Sequence, residues 1–207
     1  MKILCFLLIG YLAGTVNPAL LISKIKGKNL REHGTGNLGA TNAMLVLGKK
    51  AGALVMLFDI GKSAIAVKLA DLLAPELSWL PIATGLAVIL GHCFPLYLNF
   101  KGGKGLAAFA GLVLAYQPLL FVWLLVSGIF LMVIVNYSVA LPFYATVFFF
   151  VYVMIRETSI LTVLLALMTS ILIIVMHFGN LQKALAGRET KIREYIKTKM
   201  FHRGNAK

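Results

Sequence analysis

Charged residues are scarce in this sequence of 207 residues. They make up 13% of the chain, whereas hydrophobic residues make up 60% and the mean hydropathy is +0.90. Soluble domains carry about 25% charged and about 45–50% apolar residues. A chain with so few charged side chains cannot cover itself with polar groups in water. This excludes a soluble enzyme or a disordered chain and places the protein in a lipid bilayer.

Acidic residues and cysteines are rarer still. Seven Asp and Glu stand against 20 Lys and Arg, which gives a formal net charge of +13. The two cysteines, Cys5 and Cys93, lie in apolar stretches, so the chain is not a disulfide-linked scaffold. The excess of positive charge has three possible origins, which are the positive-inside rule for membrane loops, contact with anionic lipid headgroups, and binding of phosphorylated substrates.

Long apolar runs, by contrast, are abundant. A membrane-spanning helix needs about 20 mostly apolar residues, within a range of about 17–25. Six runs meet this requirement, at residues 3–23, 51–73, 79–98, 118–135, 138–155 and 159–178. A seventh run, residues 105–116, has only 12 residues. At about 1.5 Å per residue it cannot cross a core of about 30 Å unaided, so it is either a short tilted span or half of a re-entrant pair.

The distribution of basic residues predicts the orientation in the membrane. Eight Lys or Arg lie from Lys183 onward, six lie between Lys24 and Lys50, and two more are Lys101 and Lys104. Basic loops stay on the cytoplasmic side, and seven helical segments place all three basic segments there. We therefore predict an all-α polytopic membrane protein with seven transmembrane helical segments, an outside N-terminus and a cytoplasmic C-terminus. It divides into a membrane domain (1–182) and a basic cytoplasmic tail (183–207).

Two glycine-rich polar stretches interrupt the apolar pattern on the predicted cytoplasmic side. The first, residues 34–42, reads GTGNLGATN. Glycine permits positive φ and close approach of a ligand to the backbone, and successive backbone N–H groups bind anions. A flexible loop with a helix cap at Thr41 or Asn42 is the alternative, but two Thr and two Asn at these spacings favour binding. The candidate binding residues are Thr35, Gly36, Asn37, Gly39, Thr41 and Asn42.

The second polar stretch follows Gly91-His92 and reads FKGGKG at residues 100–105. Two lysines separated by two glycines place positive charge on a backbone that a phosphate can approach closely. A membrane anchor would need the lysines but not the three glycines, so an anion site is favoured. The candidate binding residues here are His92, Lys101, Gly102, Gly103 and Lys104.

Polar residues inside or at the end of the spans complete the set of candidates. Asp59 and Lys62 are three residues apart on one helix face, where we expect them to neutralise each other as an ion pair. His177 precedes Asn180 by the same spacing, and a structural hydrogen bond or a catalytic role is equally compatible with this histidine. The sequence shows no metal-ligand cluster and no nucleophile motif, so any group transfer needs an already activated donor.

Together these motifs resemble the membrane acyl-phosphate:glycerol-3-phosphate acyltransferases of bacteria, over essentially the whole chain. The residues that carry the resemblance are 34–42, Gly91-His92, 100–105, Asp59 with Lys62, His177 with Asn180, and Gly187-Arg188-Glu189. The resemblance implies a bacterial inner (plasma) membrane protein of seven helices whose active site faces the cytoplasm. It also implies fatty acyl transfer from acyl phosphate to a hydroxyl of glycerol 3-phosphate, which gives lysophosphatidic acid and phosphate.

The resemblance also implies roles for individual residues. Gly36, Asn37, Thr41 and Asn42 would belong to a first phosphate-binding motif, and Lys104 with Gly102 and Gly103 to a second. The implied catalytic residues are His177, Lys104 and Asn180. The expected partners are acyl phosphate, glycerol 3-phosphate and membrane lipids, with no metal, cofactor or nucleic acid. The departing phosphate would itself accept the proton of the attacking hydroxyl.

Three positions depart from the pattern of that family. Leu45 stands where the family has Arg, and Val139 and Pro142 stand where its third motif has serines. The Arg and Ser side chains would hold the acceptor phosphate. Two alternatives therefore stay open, a diverged relative with another acceptor or a regulatory role, and a transporter of a phosphorylated solute. Both candidate anion-binding loops lie on the predicted cytoplasmic side. This argues against the transporter, because transport sites lie near the midplane and open to both sides.

Overall fold

All regular structure in the described part of the chain, residues 1–189 and 191–194 of a computed structural model, is helical. The elements are α1 (Lys2–Thr15), α2 (Pro18–Ile25), α3 (Ala40–Leu47), α4 (Lys49–Leu73), α5 (Leu80–Cys93), a 3₁₀ turn (Leu96–Leu98), α6 (Leu106–Tyr116), α7 (Pro118–Val135), α8 (Ala140–Arg156) and α9 (Ile160–Leu185). The predicted all-α class is therefore confirmed.

Several of these helices have the length and composition of membrane spans. Four candidate spans occur in the described residues, at Lys2–Ile25, Leu80–Leu98, Pro118–Val135 and Ile160–Leu185. The helix α4 has 25 residues and is about 37 Å long, which suffices for crossing, but it carries several charged residues along its length. The helices α6 and α8 are apolar and shorter. The seven-segment count remains a prediction.

The first predicted span, residues 3–23, is not one continuous helix. It breaks between α1 and α2 because Pro18 has no N–H to donate to the carbonyl of Gly14 and restricts Asn17 to an extended backbone. The Asn17 side chain caps α2 by accepting a hydrogen bond from the N–H of Leu20 at 2.9 Å. The carbonyl oxygens of Gly14 and Val16 instead accept hydrogen bonds from Nζ of Lys62, at 3.0 and 2.8 Å.

The loop that precedes the short helix α6 is partly buried in the bundle and lengthens the path of this segment through it. Its last residue, Tyr116, donates a hydrogen bond to Glu157 beyond the end of α8, so α6 reaches the far end of the bundle. At its beginning, Gly103 and Gly105 are buried, and a Cβ at Gly105 would lie 3.0 Å from side chains of both α5 and α9. The loop before α6 therefore enters the bundle and supplies the length that the helix lacks.

Helix α5 lies at the centre of the bundle and packs closely on α1. A Cβ at Gly14 would overlap the carbonyl of Val88, and a Cβ at Gly91 would overlap the carbonyl of Tyr11. Small residues at helix crossings allow such backbone approach within membranes. The crossing places the broken end of α1 beside the end of α5, where the second glycine-rich stretch begins.

Contacts between helix ends show which of the connecting loops lie at the same end of the bundle. The ion pair of Lys2 with Glu76, at 3.4 Å, and the bond from Tyr116 to Glu157 lie at one end. Both glycine-rich loops and the beginning of α8 lie at the other, which we call the loop end. The domain boundary predicted after residue 182 falls inside α9, and residues 190 and 195–207 of the predicted tail lie outside the described residues.

Candidate active site

The first glycine-rich loop is held from its inner side by Asn42. This side chain is fully buried, and its Oδ1 accepts a hydrogen bond from the N–H of Thr35 at 2.7 Å. Its Nδ2 donates to the carbonyls of Leu30 at 2.9 Å and His33 at 3.2 Å. With its amide engaged by the backbone, Asn42 shapes the loop from within, and its place in a phosphate-binding motif stays a prediction.

The other first-loop candidates lie nearer the surface. Thr35 and Thr41 are exposed, while Gly36, Asn37 and Gly39 are partly exposed. The helix α3 begins at Ala40 with Gly39 as its N-cap, so neither Thr41 nor Asn42 caps it. Positive φ at Gly36, +72°, turns the chain in a conformation that a Cβ would strain. The loop therefore presents hydroxyls and an amide to solvent, while the N–H groups of Thr35 and Gly36 donate to Asn42 and to the carbonyl of His33.

The second glycine-rich loop folds back against the end of α5. The N–H groups of Gly102 and Gly103 donate to the carbonyls of Cys93 at 2.9 Å and His92 at 3.0 Å. A Cβ at Gly102 would overlap the carbonyl of His92, and a Cβ at Gly103 would overlap Nε2 of the same residue. Glycine is therefore required at both positions by close packing, which the sequence alone had assigned to ligand approach.

His92 lies behind this loop. Its side chain is 3% exposed, and its Nδ1 lies 3.2 Å from Nζ of Lys62 and 3.4 Å from Oδ1 of Asp59. Lys62 and Asp59 form the expected ion pair at 2.7 Å, which confirms that prediction. The Nε2 of His92 lies against Gly103, on the inner side of the loop. The substrate contact predicted for His92 stays a prediction.

Lys104, Asn180 and His177 come together at the loop end. The Nζ of Lys104 donates a hydrogen bond to Oδ1 of Asn180. His177 lies one turn earlier on α9, buried, with its Nδ1 2.9 Å from the carbonyl of Ile173, and within electrostatic range of Lys104. Burial and then the neighbouring charge of Lys183 lower the pKa of Lys104, while Glu189 opposes them. A half-buried lysine of this kind favours an anionic ligand.

Arg31 joins the two loops, although no local pattern in the sequence marks this residue. Its guanidinium donates to the carbonyl of Lys101 at 2.6 Å, across 70 residues of chain. In the sequence Arg31 is one of several basic residues in a loop, where the positive-inside rule accounts for it. A second hydrogen bond joins the beginning of α8 to the segment after α9, where Ser138 donates to Oε1 of Glu189 at 2.6 Å.

The three positions that depart from the family pattern lie in different surroundings. Leu45 is 47% exposed on α3, whereas Val139 and Pro142 are buried at the beginning of α8. Two lysines near α3, Lys26 and Lys28, donate to carbonyls in its last turn, at 2.8 and 3.3 Å. These lysines therefore stabilise the negative end of α3.

An apolar groove begins beside the second loop. It runs between α6, α7 and α8 and is lined at the loop end by Leu106 and Leu141 and deeper by Phe109, Phe121 and Leu124. A larger groove, about 580 Å³, lies at the opposite end of the bundle around Trp123 and Arg156, remote from Lys104. The loop end thus combines a cationic polar surface with an apolar groove, which suits an amphipathic anion.

Comparison with known proteins agrees with this combination. The family model described as glycerol-3-phosphate acyltransferase matches residues 4–187. Proteins named glycerol-3-phosphate acyltransferase from Bacillus velezensis and Aquifex aeolicus are 36% and 38% identical, over 93% and 91% of this chain and 99% and 98% of theirs. One from Exiguobacterium sibiricum is 46% identical, and the match spans 61% of each chain.

Solved structures give the same result for the fold. The chain is similar to an integral membrane glycerol 3-phosphate acyltransferase solved in its glycerol 3-phosphate form, with a TM-score of 0.87 and 33% identity over 93% of this chain and 96% of that one. The lysophosphatidic acid form of that acyltransferase gives a TM-score of 0.84 with 32% identity over 92% and 95%. The chain therefore belongs to the glycerol-3-phosphate acyltransferase family.

Proposed function

We propose that this protein transfers a fatty acyl group from acyl phosphate to a hydroxyl of glycerol 3-phosphate. The products are lysophosphatidic acid and inorganic phosphate, and the reaction is the first acylation step of phospholipid synthesis. The observation that carries the proposal is the loop end itself, where two anion-suited loops and the Lys104–Asn180 pair adjoin an apolar groove. Both substrates are phosphorylated, and one carries a long apolar chain.

The chemistry needs positioning more than a strong protein base. The acceptor hydroxyl oxygen attacks the acyl carbonyl carbon, and the bond from that carbon to the phosphate oxygen breaks. The hydroxyl proton passes to the departing phosphate. Acyl phosphate is already activated, so holding the hydroxyl against the carbonyl and stabilising the developing negative charge supply most of the rate. Lys104 and Asn180 are suited to the negative charge, with His177 beside them.

The two loops divide the remaining binding tasks. The first loop offers phosphate the hydroxyls of Thr35 and Thr41 and the amide of Asn37, while Gly36 and Gly39 let a ligand approach the backbone closely. In the second loop Gly102 and Lys104 face the same end, and Lys101 adds an exposed cation. The groove that begins at Leu106 and Leu141 has a volume of about 70 Å³, so it would receive only the first part of the donor's acyl chain and leave the rest in the bilayer.

The predicted orientation completes the proposal. Seven helical segments in the inner (plasma) membrane of a bacterium, with the N-terminus outside and the loop end in the cytoplasm, give the active site access to soluble glycerol 3-phosphate. The basic loops at the loop end support this orientation through the positive-inside rule. The helix ends at Glu76 and Glu157 would then face outward.

Orientation can be tested by cysteine labelling in intact cells. In a background with Cys5 and Cys93 replaced by Ala, a membrane-impermeant thiol reagent should label Glu76→Cys and leave Lys28→Cys and Lys191→Cys unlabelled. Permeabilised cells provide the control, because there all three cysteines should react. The reverse pattern in intact cells would place the loop end outside and contradict a cytoplasmic active site.

Purified protein supplied with one acyl donor at a time tests the reaction. We expect lysophosphatidic acid from acyl phosphate with glycerol 3-phosphate, and inorganic phosphate released in equal amount. Acyl-coenzyme A should not substitute, because it has no acyl-linked phosphate for the Lys104 region to hold. Phosphate release without acyl transfer, or transport of glycerol 3-phosphate into vesicles, would contradict the proposed reaction.

Lys104→Met tests whether this lysine binds phosphate. The change removes charge-assisted hydrogen bonds worth about 1.5–3 kcal/mol, so the KM for a phosphorylated substrate should rise about tenfold to a hundredfold. The matched control is Lys50→Met, at an exposed position at the beginning of α4. Unchanged kinetics in Lys104→Met, with a normal melting temperature, would show that Lys104 serves only as a topological charge.

Restoring the family residues at Leu45 and Pro142 tests the acceptor site. Leu45 is exposed on α3, so Leu45→Arg places a guanidinium at the surface of the loop end, where it can grip a phosphate bidentately. Combined with Pro142→Ser, it should lower the KM for glycerol 3-phosphate about tenfold. Leu45→Gln with Pro142→Ser is the uncharged control. Equal KM values in both double variants would show that the departures are neutral for this acceptor.

A further inference from the structure

Three ionisable side chains form a buried cluster beneath the second glycine-rich loop. Asp59 and Lys62 on α4 lie 2.7 Å apart, and Nδ1 of His92 on α5 lies 3.2 Å from Lys62 and 3.4 Å from Asp59. Their side chains are 1%, 6% and 3% exposed. The cluster lies outside both loops, and the acyl transfer derived above makes no use of it.

Lys62 connects this cluster to the broken first span. Besides Asp59 and His92, its Nζ contacts the carbonyls of Gly14 and Val16. The first lacks a helical donor because Pro18 has no N–H, and the second because the N–H of Leu20 donates to the Asn17 side chain. One ammonium group thus ties α1, α4 and α5 together through polar contacts. In an apolar surrounding each of these contacts is costly to leave unmade, so the cluster has little freedom to rearrange.

His92 transmits that rigidity to the loop. Its carbonyl accepts the hydrogen bond from Gly103 at 3.0 Å, and its ring lies so close that a Cβ at Gly103 would overlap Nε2. Lys104 is the next residue, and its Nζ reaches Asn180 on α9. The imidazole therefore forms the surface on which the loop rests one residue before the phosphate-binding lysine.

Building on the function proposed above, we propose that Asp59, Lys62 and His92 are positioning residues for acceptor binding. The ion pair fixes the orientation of the His92 ring, the ring fixes Gly103, and Gly103 sets the place of Lys104. None of the three side chains reaches the open side of the loop, so they act on substrate only through it. Loss of the cluster should therefore weaken binding of glycerol 3-phosphate through a misplaced Lys104.

A double-mutant cycle between Gly103 and His92 tests the central contact. Gly103→Ala should raise the KM for glycerol 3-phosphate about tenfold in the wild-type background, since its Cβ meets the His92 ring. In a His92→Ala background the ring is gone, and the same change should cost less than about twofold. Gly102→Ala is the matched control, because its Cβ meets the backbone carbonyl of His92 and should cost the same in both backgrounds.

A second pair on the same helix provides the control for the ion pair. Lys68 and Asp71 also lie three residues apart on α4, at 2.6 Å, but their side chains are about half exposed. Asp59→Asn should raise the KM about tenfold, because the His92 ring loses the buried carboxylate that orients it, whereas Asp71→Asn in the exposed pair should leave the KM unchanged. A purely structural role would lower the melting temperature of Asp59→Asn and leave the KM of the folded protein as it was.

Hydrogen–deuterium exchange gives a readout that does not depend on turnover. In detergent micelles, the Gly102 and Gly103 amides should exchange faster in His92→Ala and Asp59→Asn than in wild type. In Asp71→Asn they should exchange at the wild-type rate. A wild-type protein that makes no lysophosphatidic acid would contradict the proposed function, while the exchange result would still decide the positioning role. If Asp59→Asn fails to fold, the Gly103–His92 cycle, which keeps the ion pair, decides. Equal costs of Gly103→Ala in both backgrounds, with unchanged exchange, would overturn the positioning role.

Discussion

The loop end depends on the contacts that the ammonium group of Lys62 makes with its neighbours. Backbone groups in a membrane must find partners inside the protein, because lipid tails offer none. The helix break at Pro18 leaves backbone carbonyls of the first span without helical donors. Lys62 donates hydrogen bonds to two of them, the carbonyls of Gly14 and Val16. The same group neutralises Asp59. A helix break that would be costly in lipid is thereby converted into a fixed junction at the base of the candidate active site.

Close helix packing brings this junction within reach of the loops. Gly14 and Gly91 let α1 and α5 approach until their backbones are in contact, and Gly103 and Gly105 let the second loop enter the bundle. At these positions the missing side chain of glycine is what allows the close approach. The consequence for function is that Lys104 sits half buried between elements that cannot easily move apart, which suits a residue that must meet a phosphate at a fixed place.

Local patterns in the sequence predicted the helices and the ion pair, and missed what depends on distant contacts. The predicted span 118–135 has the bounds of α7, because a single apolar run begins at Pro118 and ends before the polar Asn136. The i,i+3 spacing predicted the Asp59–Lys62 pair for an equally local reason. The hydrogen bond from Arg31 to the carbonyl of Lys101 joins residues 70 positions apart, and no local pattern predicts it. The burial of His92 behind Gly103 likewise required the tertiary approach of a loop to α5.

The charges of the loop end suit a reaction in which the substrate itself supplies the base, as in the acyl transfer proposed above. His177 is buried with its Nδ1 2.9 Å from the carbonyl of Ile173, so the backbone engages one of its two ring nitrogens. Lys104 and the exposed Lys101 supply positive charge that binds phosphate. In the proposed reaction the departing phosphate would take the proton, and the residues of the loop end would hold and orient the two phosphates.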